Sequence, residues 1–481
     1  MHTRLARLAA FVFLLTTAAA TQGAAPDASP SGKTFRAGAF AADITPLELP
    51  ISTNGGLQDR QATEVHDRLH ARTLVLDDGR VRIAIVVCDL CAIPRDVCDE
   101  AKRLAALASG IRVDHVLISA THTHTAPTAT PTFQSDPDPA YQHFVAEQIA
   151  KGIARATKNL EPARIGWGVG RNADQVFNRR WRLKPGTVPA DPFGRKHDTV
   201  KMNPAVMNAN LVEPAGPTDP DVSVLSVQAR DGRPIAVLAN YSLHYVGGVP
   251  ALSADYYGAF AERIKELLKA GEARPAFAGI MSNGTSGDVN NINFRAPAVR
   301  AATGERVKVV ADSVARTALD TIQKIQYHDW VPLAMREREI ELGVRLPPAA
   351  DIKAAEQTLA EAPGPGLKTV PEVYARETVL LAKYPPTVRV RLQAIRIGEL
   401  GIASSPCETF AETGLAIKRE SPLKPTFVIE LANGYNGYLP TPEQFKWGGY
   451  ETWRARSSYL AEDSSVKITS TLLELLRQVS R

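Results

Sequence analysis

The feature of this 481-residue sequence that most constrains its fold is the repeated alternation of short apolar runs with longer amphipathic segments. The short runs have the length and the apolar composition of buried strands. The longer segments carry apolar residues at helical spacing, as Phe260, Ile264 and Leu267 do. Strands that alternate with helices along a chain favour an α/β architecture. We therefore predict an α/β fold in which a mixed β-sheet core is flanked by helices within one large domain.

The alternation gives an approximate map of the chain. Predicted strands occupy residues 72–77, 81–88, 113–120, 163–168, 222–228, 235–241, 277–281, 331–342, 388–397 and 426–431. Predicted helices occupy residues 141–159, 254–270, 295–326, 350–359, 370–381, 409–420 and 464–476. Residues 185–217, rich in Pro, Asn and Asp, are predicted to form a long loop of the kind that is often functional. Residues 347–386 are predicted to be a helical insertion within a catalytic domain that spans 35–481.

The N-terminus has the pattern of a secretory signal peptide. Arg4 and Arg7 precede a short apolar stretch at 8–20, and small residues follow it. We predict a signal peptide over 1–25 and a flexible tail over 26–34. A retained membrane anchor is the alternative, but a membrane helix needs roughly 18 apolar residues, and neither this stretch nor any later one reaches that length. The mature chain is therefore expected to be secreted or periplasmic and to have no transmembrane anchor.

Charge and cysteine content exclude some classes of partner and site. The formal net charge is only +5 and the basic residues form no run, so nucleic acid is not expected as a partner. Cys88 and Cys91 form a CxxC pair, but a zinc ribbon would need a second pair. Together with Cys98 and Cys407, they are expected to be structural, either as buried thiols or in a disulfide.

The motif Thr-His-Thr-His-Thr at 121–125 follows the predicted strand 113–120 and is the strongest functional signal in the chain. Side chains at positions i and i+2 of an extended segment point to the same face, so His122 and His124 could share one small volume. Neutral imidazole binds zinc and titrates near physiological pH, which suits a metal ligand beside a proton-transfer group. The alternative is a pair of polar residues on a surface loop.

Two further residues stand at comparable positions. His244 follows the predicted strand 235–241, and Glu408 follows a third apolar strand at a probable helix start. A carboxylate is favoured at a helix start on electrostatic grounds alone, which is the alternative for Glu408. Two histidines, one carboxylate and an open position for water form the usual ligand set of hydrolytic zinc sites. The residues therefore indicate a zinc hydrolase.

Several motifs make the sequence similar to the neutral (non-lysosomal) ceramidases. They run collinearly from about residue 35 to the end of the chain. The motifs are AADITP at 41–46, NGG at 54–56, HDRLHAR at 66–72, SATHTH at 119–124, NR at 178–179, GDVN at 287–290, PCET at 406–409, NGYNGY at 433–438 and YE at 450–451. The SATHTH and P-x-E motifs are the more specific, whereas DITP and GDV are weak by themselves.

The resemblance implies a role for each matching residue. The implied zinc ligands are His122, His244, Glu408 and Tyr438, with Tyr435 as an alternative for the tyrosine. The resemblance also implies that His124 lies near the water activated by zinc, and that Arg179 and Tyr450 assist at the scissile carbonyl. Residues 444–449, which precede Tyr450, depart from the family pattern.

The sequence and the resemblance together imply an exported zinc-dependent amidohydrolase that cleaves an N-acyl amide by attack of zinc-activated water. The alternatives are a zinc esterase or lactonase that uses the same site, and a non-catalytic binding protein of the same fold. Ceramidases of this family carry an additional C-terminal β-type domain. The sequence ends at Arg481, so we expect that domain to be absent, and we expect a soluble N-acyl amine or another small N-acyl substrate to be cleaved better than ceramide embedded in a membrane.

Overall fold

A computed structural model of the protein describes residues 33–364 and 366–481. The predicted signal peptide, and the predicted tail up to residue 32, lie outside the described residues. In chain order the strands are β1 Arg36–Asp43, β2 Ile51–Thr53, β3 Arg60–Ala62, β4 His70–Asp77, β5 Arg82–Cys88, β6 Val116–Ala120, β7 Glu161–Arg171, β8 Phe177–Asn178, β9 Arg180–Leu183, β10 Val200–Met202, β11 Leu211–Pro214, β12 Asp221–Ala229, β13 Pro234–Tyr241, β14 Ala278–Asn283, β15 Val289–Asn290, β16 Leu333–Gly343, β17 Thr387–Ile397, β18 Leu400–Ser404, β19 Glu408–Thr409, β20 Thr426–Ile429 and β21 Tyr438–Leu439. The helices are α1 Arg95–Ser109, α2 Pro139–Lys158, α3 Asp255–Leu267, α4 Glu305–Ile322, α5 Ala349–Glu361, α6 Val370–Leu381, α7 Ala411–Glu420, α8 Pro442–Trp447 and α9 Ser464–Val479.

An eight-stranded mixed sheet forms the centre of the fold, in the order β14-β13-β12-β7-β1-β4-β5-β6. Its inner pairs are antiparallel, whereas β13 pairs with β14, and β5 with β6, in parallel. Parallel neighbours need a crossover connection, and helices α3 and α1 supply it at the two edges. The sheet curls, so that its edge strands β14 and β6 contact each other. This curl brings the ends of distant strands together.

A second, four-stranded sheet lies against the first, in the order β16-β17-β18-β20. One face of the large sheet packs on helices α1 to α4, and its other face packs on the small sheet, whose far side is covered by α7 and α9. The layers are thus helix, sheet, sheet and helix. The predicted α/β fold with a mixed sheet core flanked by helices is confirmed, but the sequence did not separate the strands into two sheets.

Local differences from the sequence prediction have identifiable causes. The predicted strand 113–120 begins with a 3-10 turn at Val113–His115, and only Val116–Ala120 is extended. The predicted helix 295–326 begins at Glu305, after Gly304, which has a left-handed φ of 70°. The predicted loop 185–217 is wrong in part, because β10 and β11 within it pair with β9 in a three-stranded sheet. Strand β1 and helix α1 were missed.

The remaining sequence predictions concern the insertion, the cysteines and the membrane. Helices α5 and α6 lie between the paired antiparallel strands β16 and β17, within residues 347–386. All four cysteines are free and buried, so the thiol alternative is correct and the disulfide alternative is wrong. None of the helices in the described ranges combines the length and the apolar character that a bilayer-spanning segment needs.

Three glycines on one face of β7 allow the C-terminal end of α4 to approach the sheet. Gly166, Gly168 and Gly170 alternate along the strand, so their missing side chains share one face. A Cβ atom on Gly166 would lie 2.2 Å from Ile325 Cγ2 and 2.6 Å from the carbonyl oxygen of Gln326. Those distances are far below van der Waals contact, so the glycines set how closely this layer packs.

We expect Gly166→Ala to destabilise the protein by about 1–3 kcal/mol, because an overpacked core must displace its neighbours. Urea denaturation followed by circular dichroism measures the change. Gly271→Ala is the matched control, since a Cβ atom on Gly271 would meet nothing within 4 Å, and it should stay within about 0.5 kcal/mol of the native protein. An equal loss in both variants would contradict the packing role of Gly166.

Candidate metal centre and active site

The ends of two distant strands of the large sheet meet at one point. His122 follows β6 at one edge and His244 follows β13 near the other edge. Their Nε2 atoms are 3.0 Å apart. Glu408, which follows β18 of the small sheet, places Oε2 3.2 Å from Nε2 of His122 and 3.9 Å from Nε2 of His244. All three side chains are buried, so the site lies where the two sheets join.

The geometry of the His-Thr-His motif differs from the alternation that the sequence predicted. His122 adopts a left-handed φ of 77°, and its backbone N–H donates to the carbonyl of Leu90 at 2.9 Å. The chain therefore leaves the extended conformation at the first histidine. The two imidazoles nevertheless share one volume, since Nε2 of His124 lies 3.0 Å from Nε2 of His122. The expectation of proximity is met, although the turn and not strand alternation produces it.

Backbone carbonyls orient the two candidate ligand histidines. Nδ1 of His122 donates to the carbonyl oxygen of Cys91 at 2.8 Å, and Nδ1 of His244 donates to that of Ser286 at 3.2 Å. Protons on both Nδ1 atoms leave the Nε2 lone pairs facing each other. Oε2 of Glu408 is buried and has no hydrogen-bond partner. Metal-binding histidines are commonly fixed by such an outer hydrogen bond, so this donor set fits a zinc ion.

The electrostatics of the site favour a positive charge between these donors. Burial alone would raise the pKa of Glu408, but His122, Arg179 and Tyr435 outweigh it and lower that pKa. Burial lowers the pKa of His244 well below its ordinary range, and nearby Arg179 lowers it further. The carboxylate is thus ionised and the imidazole of His244 is neutral, as metal ligation requires. Burial would lower the pKa of His122, but Cys91 and Glu408 outweigh it and raise that pKa well above its ordinary range, so a proton on His122 supplies the positive charge where a cation is not bound.

The two candidate ligand tyrosines are held differently. The hydroxyl of Tyr435 donates to Oε1 of Glu408 at 2.8 Å, so Tyr435 orients that carboxylate. Tyr438 pairs with Glu408 in the short parallel ladder of β19 and β21, and its hydroxyl accepts from Nη2 of Arg179 at 3.0 Å. Both side chains line the same small cavity as His122 and Glu408. Tyr435 therefore contacts a candidate ligand, whereas the hydroxyl oxygen of Tyr438 faces the cavity and Arg179.

His124 is half-buried and lies between an aromatic ring and a glycine turn. Its ring stacks on Tyr245, with centroids 3.8 Å apart, and its Nδ1 has no hydrogen-bond partner. A Cβ atom on Gly55 would lie 2.3 Å from the imidazole ring, and Gly55 has a φ of 110°. Burial lowers the pKa of His124 well below its usual value, and the charges of His122 and Arg179 add to this effect. Sequence reasoning found the Asn-Gly-Gly motif but not its contact with His124.

Arg179 reaches the site because a buried carboxylate holds it. Its Nε pairs with Oε1 of Glu451 at 3.1 Å, and its Nη2 also donates to the carbonyl of Gly287 at 2.9 Å. Glu451 is fully buried and pairs with Arg180 at 2.5 Å as well. Tyr450, the residue before Glu451, has its ring centroid 5.8 Å from that of Tyr438. Sequence reasoning gave no role to Glu451, although the YE motif contained it.

Two neighbouring cavities complete the site. The first, of about 30 Å³, is lined by the candidate ligands and by His124, Tyr450 and Gly55. The second, of about 380 Å³, shares Tyr450 and Gly55 with it. The larger cavity is lined mainly by apolar residues from the 185–203 region, from helix α6 and from the last third of the chain: Val188, Pro189, Val200, Met202, Val370, Tyr374 and Trp453. A small polar centre thus adjoins an apolar chamber, as in many small-molecule sites.

Comparisons with known proteins agree with this architecture. Residues 35–318, more than half of the chain, match the sequence model of the neutral/alkaline non-lysosomal ceramidase N-terminal domain. The crystal structure of neutral ceramidase from Pseudomonas aeruginosa is similar at a TM-score of 0.69 and 17% identity, over 93% of this chain and 74% of that one. A ceramidase complexed with C2 is similar at a TM-score of 0.68 and 17% identity, over 92% and 75% of the two chains. The chain therefore belongs to the neutral/alkaline non-lysosomal ceramidase family, a family of hydrolases that act on an amide bond.

Proposed function

We propose that the protein is an exported, zinc-dependent amidohydrolase that cleaves an N-acyl amide with a long apolar chain. The observation that carries the proposal is the convergence of two imidazole Nε2 atoms and an unpartnered carboxylate oxygen, within 4.8 Å of one another and away from water. Family membership supports an amide as the bond that is cleaved. Export rests on the sequence pattern at residues 1–25.

The residues that would hold the zinc ion are His122, His244 and Glu408, with Tyr438 as the fourth ligand. When bound at such a site, zinc lowers the pKa of a water molecule to about 7 and polarises a carbonyl group. Tyr435 would keep Glu408 in the orientation for ligation through its 2.8 Å hydrogen bond. The cavity of about 30 Å³ beside these residues is large enough for one water molecule.

His124 has the features of a general acid–base residue. Its Nε2 lies 3.0 Å from Nε2 of His122, beside the candidate ligands, and its low pKa keeps the ring neutral, so Nε2 can accept a proton from the attacking water. The same proton then passes to the nitrogen of the leaving amine, which makes that nitrogen a better leaving group. The close contacts of Tyr245 and Gly55 hold the ring in place for both transfers.

Arg179 and Tyr450 would stabilise the oxyanion that forms when the carbonyl carbon becomes tetrahedral. Arg179 is buried and Tyr450 is half-buried beside the candidate ligands, and the ion pair with Glu451 fixes the guanidinium. Removing one donor from such a site typically costs about 10²–10³ in rate. Burial raises the pKa of Tyr450, so its hydroxyl keeps its proton and can donate.

The apolar cavity indicates which kind of acyl chain the substrate carries. Its volume of about 380 Å³ and its valine, methionine and aromatic lining suit a long hydrocarbon chain and not a short, soluble acyl group. The sequence did not predict this cavity, because its walls come from four separated segments, at 55–57, 188–202, 370–374 and 450–453. It favours a ceramide-like amide over the small soluble amides that the sequence suggested. An esterase or lactonase would use the same site, so the bond that is cleaved must be measured.

Two histidine variants test the proposed mechanism. We expect His122→Ala to lose both zinc and activity, since it removes a ligand. We expect His124→Ala to retain about one zinc per chain while turnover falls by about 10²–10⁴-fold, the usual contribution of acid–base catalysis. Metal analysis of the purified proteins and an amide hydrolysis assay measure the two effects. Zinc loss in His124→Ala alone would show that the assigned roles are exchanged, and equal loss in both variants would show that both residues are ligands. A metal-free native protein would favour the binding-protein alternative.

A variant of the apolar cavity tests the substrate. Val370, at the first position of α6, is 40% exposed and lines the cavity, so Val370→Trp should fill part of it without removing a core contact. We expect KM for long-chain ceramide in detergent micelles to rise about tenfold, an effect of about 1.4 kcal/mol. Turnover of short-chain N-acyl amines should change little.

Val466→Trp is the matched control, because Val466 is an exposed valine on α9 and does not line the cavity. The same substrate panel should include acyl esters. Turnover of esters alone would support the esterase alternative, and equal effects of Val370→Trp on long and short amides would exclude this cavity as the chain-binding site.

A further inference from the structure

A second buried glutamate lies behind the candidate metal ligands. Glu430, directly after β20, has no exposed surface. Its Oε1 accepts a hydrogen bond from Oγ of Ser286 at 2.7 Å, and its Oε2 accepts one from the backbone N–H of Thr409 at 2.7 Å. It forms none of the ion pairs found among the described residues with Lys, Arg or His. A buried carboxylate is costly to maintain, so its two short hydrogen bonds need an explanation.

The two hydrogen bonds of Glu430 lead to two different candidate ligands. Ser286 is the residue whose backbone carbonyl accepts the Nδ1 proton of His244 at 3.2 Å. Thr409 directly follows Glu408, and its N–H is fixed by Glu430. One carboxylate therefore connects the loop that orients His244, after β14, with the chain that carries Glu408. These two segments belong to different sheets, and Glu430 is located where the sheets join.

We propose that Glu430 is a positioning residue, which holds His244 and Glu408 at the separation that a zinc ion needs by bonding to Ser286 and Thr409. The inference rests on the proposed zinc site. Residues that orient metal ligands from outside typically change metal affinity about 10–100-fold when they are lost. Glu430 itself is not a ligand, because its oxygens are used by the two donors.

The test compares substitutions that keep or remove the two hydrogen bonds. Glutamine has nearly the shape of glutamate and keeps one of its oxygens, so it removes the charge and can retain both contacts. In Glu430→Gln, the amide oxygen can accept from Thr409 and the amide nitrogen can donate to the hydroxyl of Ser286. In Glu430→Leu, both bonds are lost. The probe is zinc alone, titrated into metal-free protein against a chromophoric chelator.

We expect Glu430→Leu to weaken zinc binding by about 10–100-fold, and Glu430→Gln to restore most of that affinity. Ser286→Ala, which removes only one of the two bonds, should weaken binding by about tenfold and remains informative where the leucine variant does not fold. Asn172→Leu is the matched control, since Asn172 is buried and bridges to Ser313 and Thr317 of α4 instead of to the ligands. It should lower stability and leave zinc affinity unchanged.

The possible results separate this inference from the function on which it rests. A native protein that binds no zinc would overturn the proposed function. If the native protein binds zinc, and Glu430→Leu and Ser286→Ala bind it equally well, only the role of Glu430 is overturned. Equal losses in the glutamine, leucine and Asn172→Leu variants would also overturn it, because zinc affinity would then follow general stability and not these hydrogen bonds.

Discussion

Three lone pairs that face one another in a dry volume determine much of this structure. The Nε2 atoms of His122 and His244 and Oε2 of Glu408 lie 3.0 to 3.9 Å apart, a spacing at which like partial charges repel unless a cation or protons lie between them. The surrounding contacts prevent these three donor atoms from moving apart. Backbone carbonyls fix both imidazoles from behind, and Tyr435 fixes the carboxylate. The protein therefore uses fully formed hydrogen bonds to hold a set of donors that would fit a cation.

The layered core is what brings these donors together. His122 and His244 come from opposite ends of the strand order in the large sheet, and only the curl of that sheet makes their separation small. Glu408 comes from the other sheet, so its distance from the histidines depends on how closely the two inner faces pack. Close packing at interfaces such as β7 against α4 thus contributes to the geometry of the site as well as to stability. A core with native packing density transmits small displacements because it has few voids to absorb them.

The sequence predicted the class of fold and the location of the donors, and the reasons for its errors are specific. His122, His244 and Glu408 were recognised because each follows an apolar strand. Their convergence could not be derived, since sheet curl and sheet packing are properties of the whole chain. The i, i+2 argument for His124 was wrong in mechanism, because a left-handed residue after a strand cannot be recognised without a glycine to indicate it. Helix α1 was missed because its buried stripe consists of alanine, valine, cysteine and a lysine stem, which resembles a surface helix in composition.

The candidate ligands and the apolar cavity also belong to different parts of the fold. The candidate ligands and His124 lie at strand ends in the two-sheet core, where a displacement of one side chain affects several others. Val370 and Tyr374, which line the apolar cavity, lie on α6 of the helical pair between β16 and β17. The hydroxyl of Tyr374 is buried and has no hydrogen-bond partner, and such a group is paired in most proteins. Because α6 forms no part of either sheet, changes in its sequence can alter the lining of the apolar cavity while the candidate ligands stay fixed.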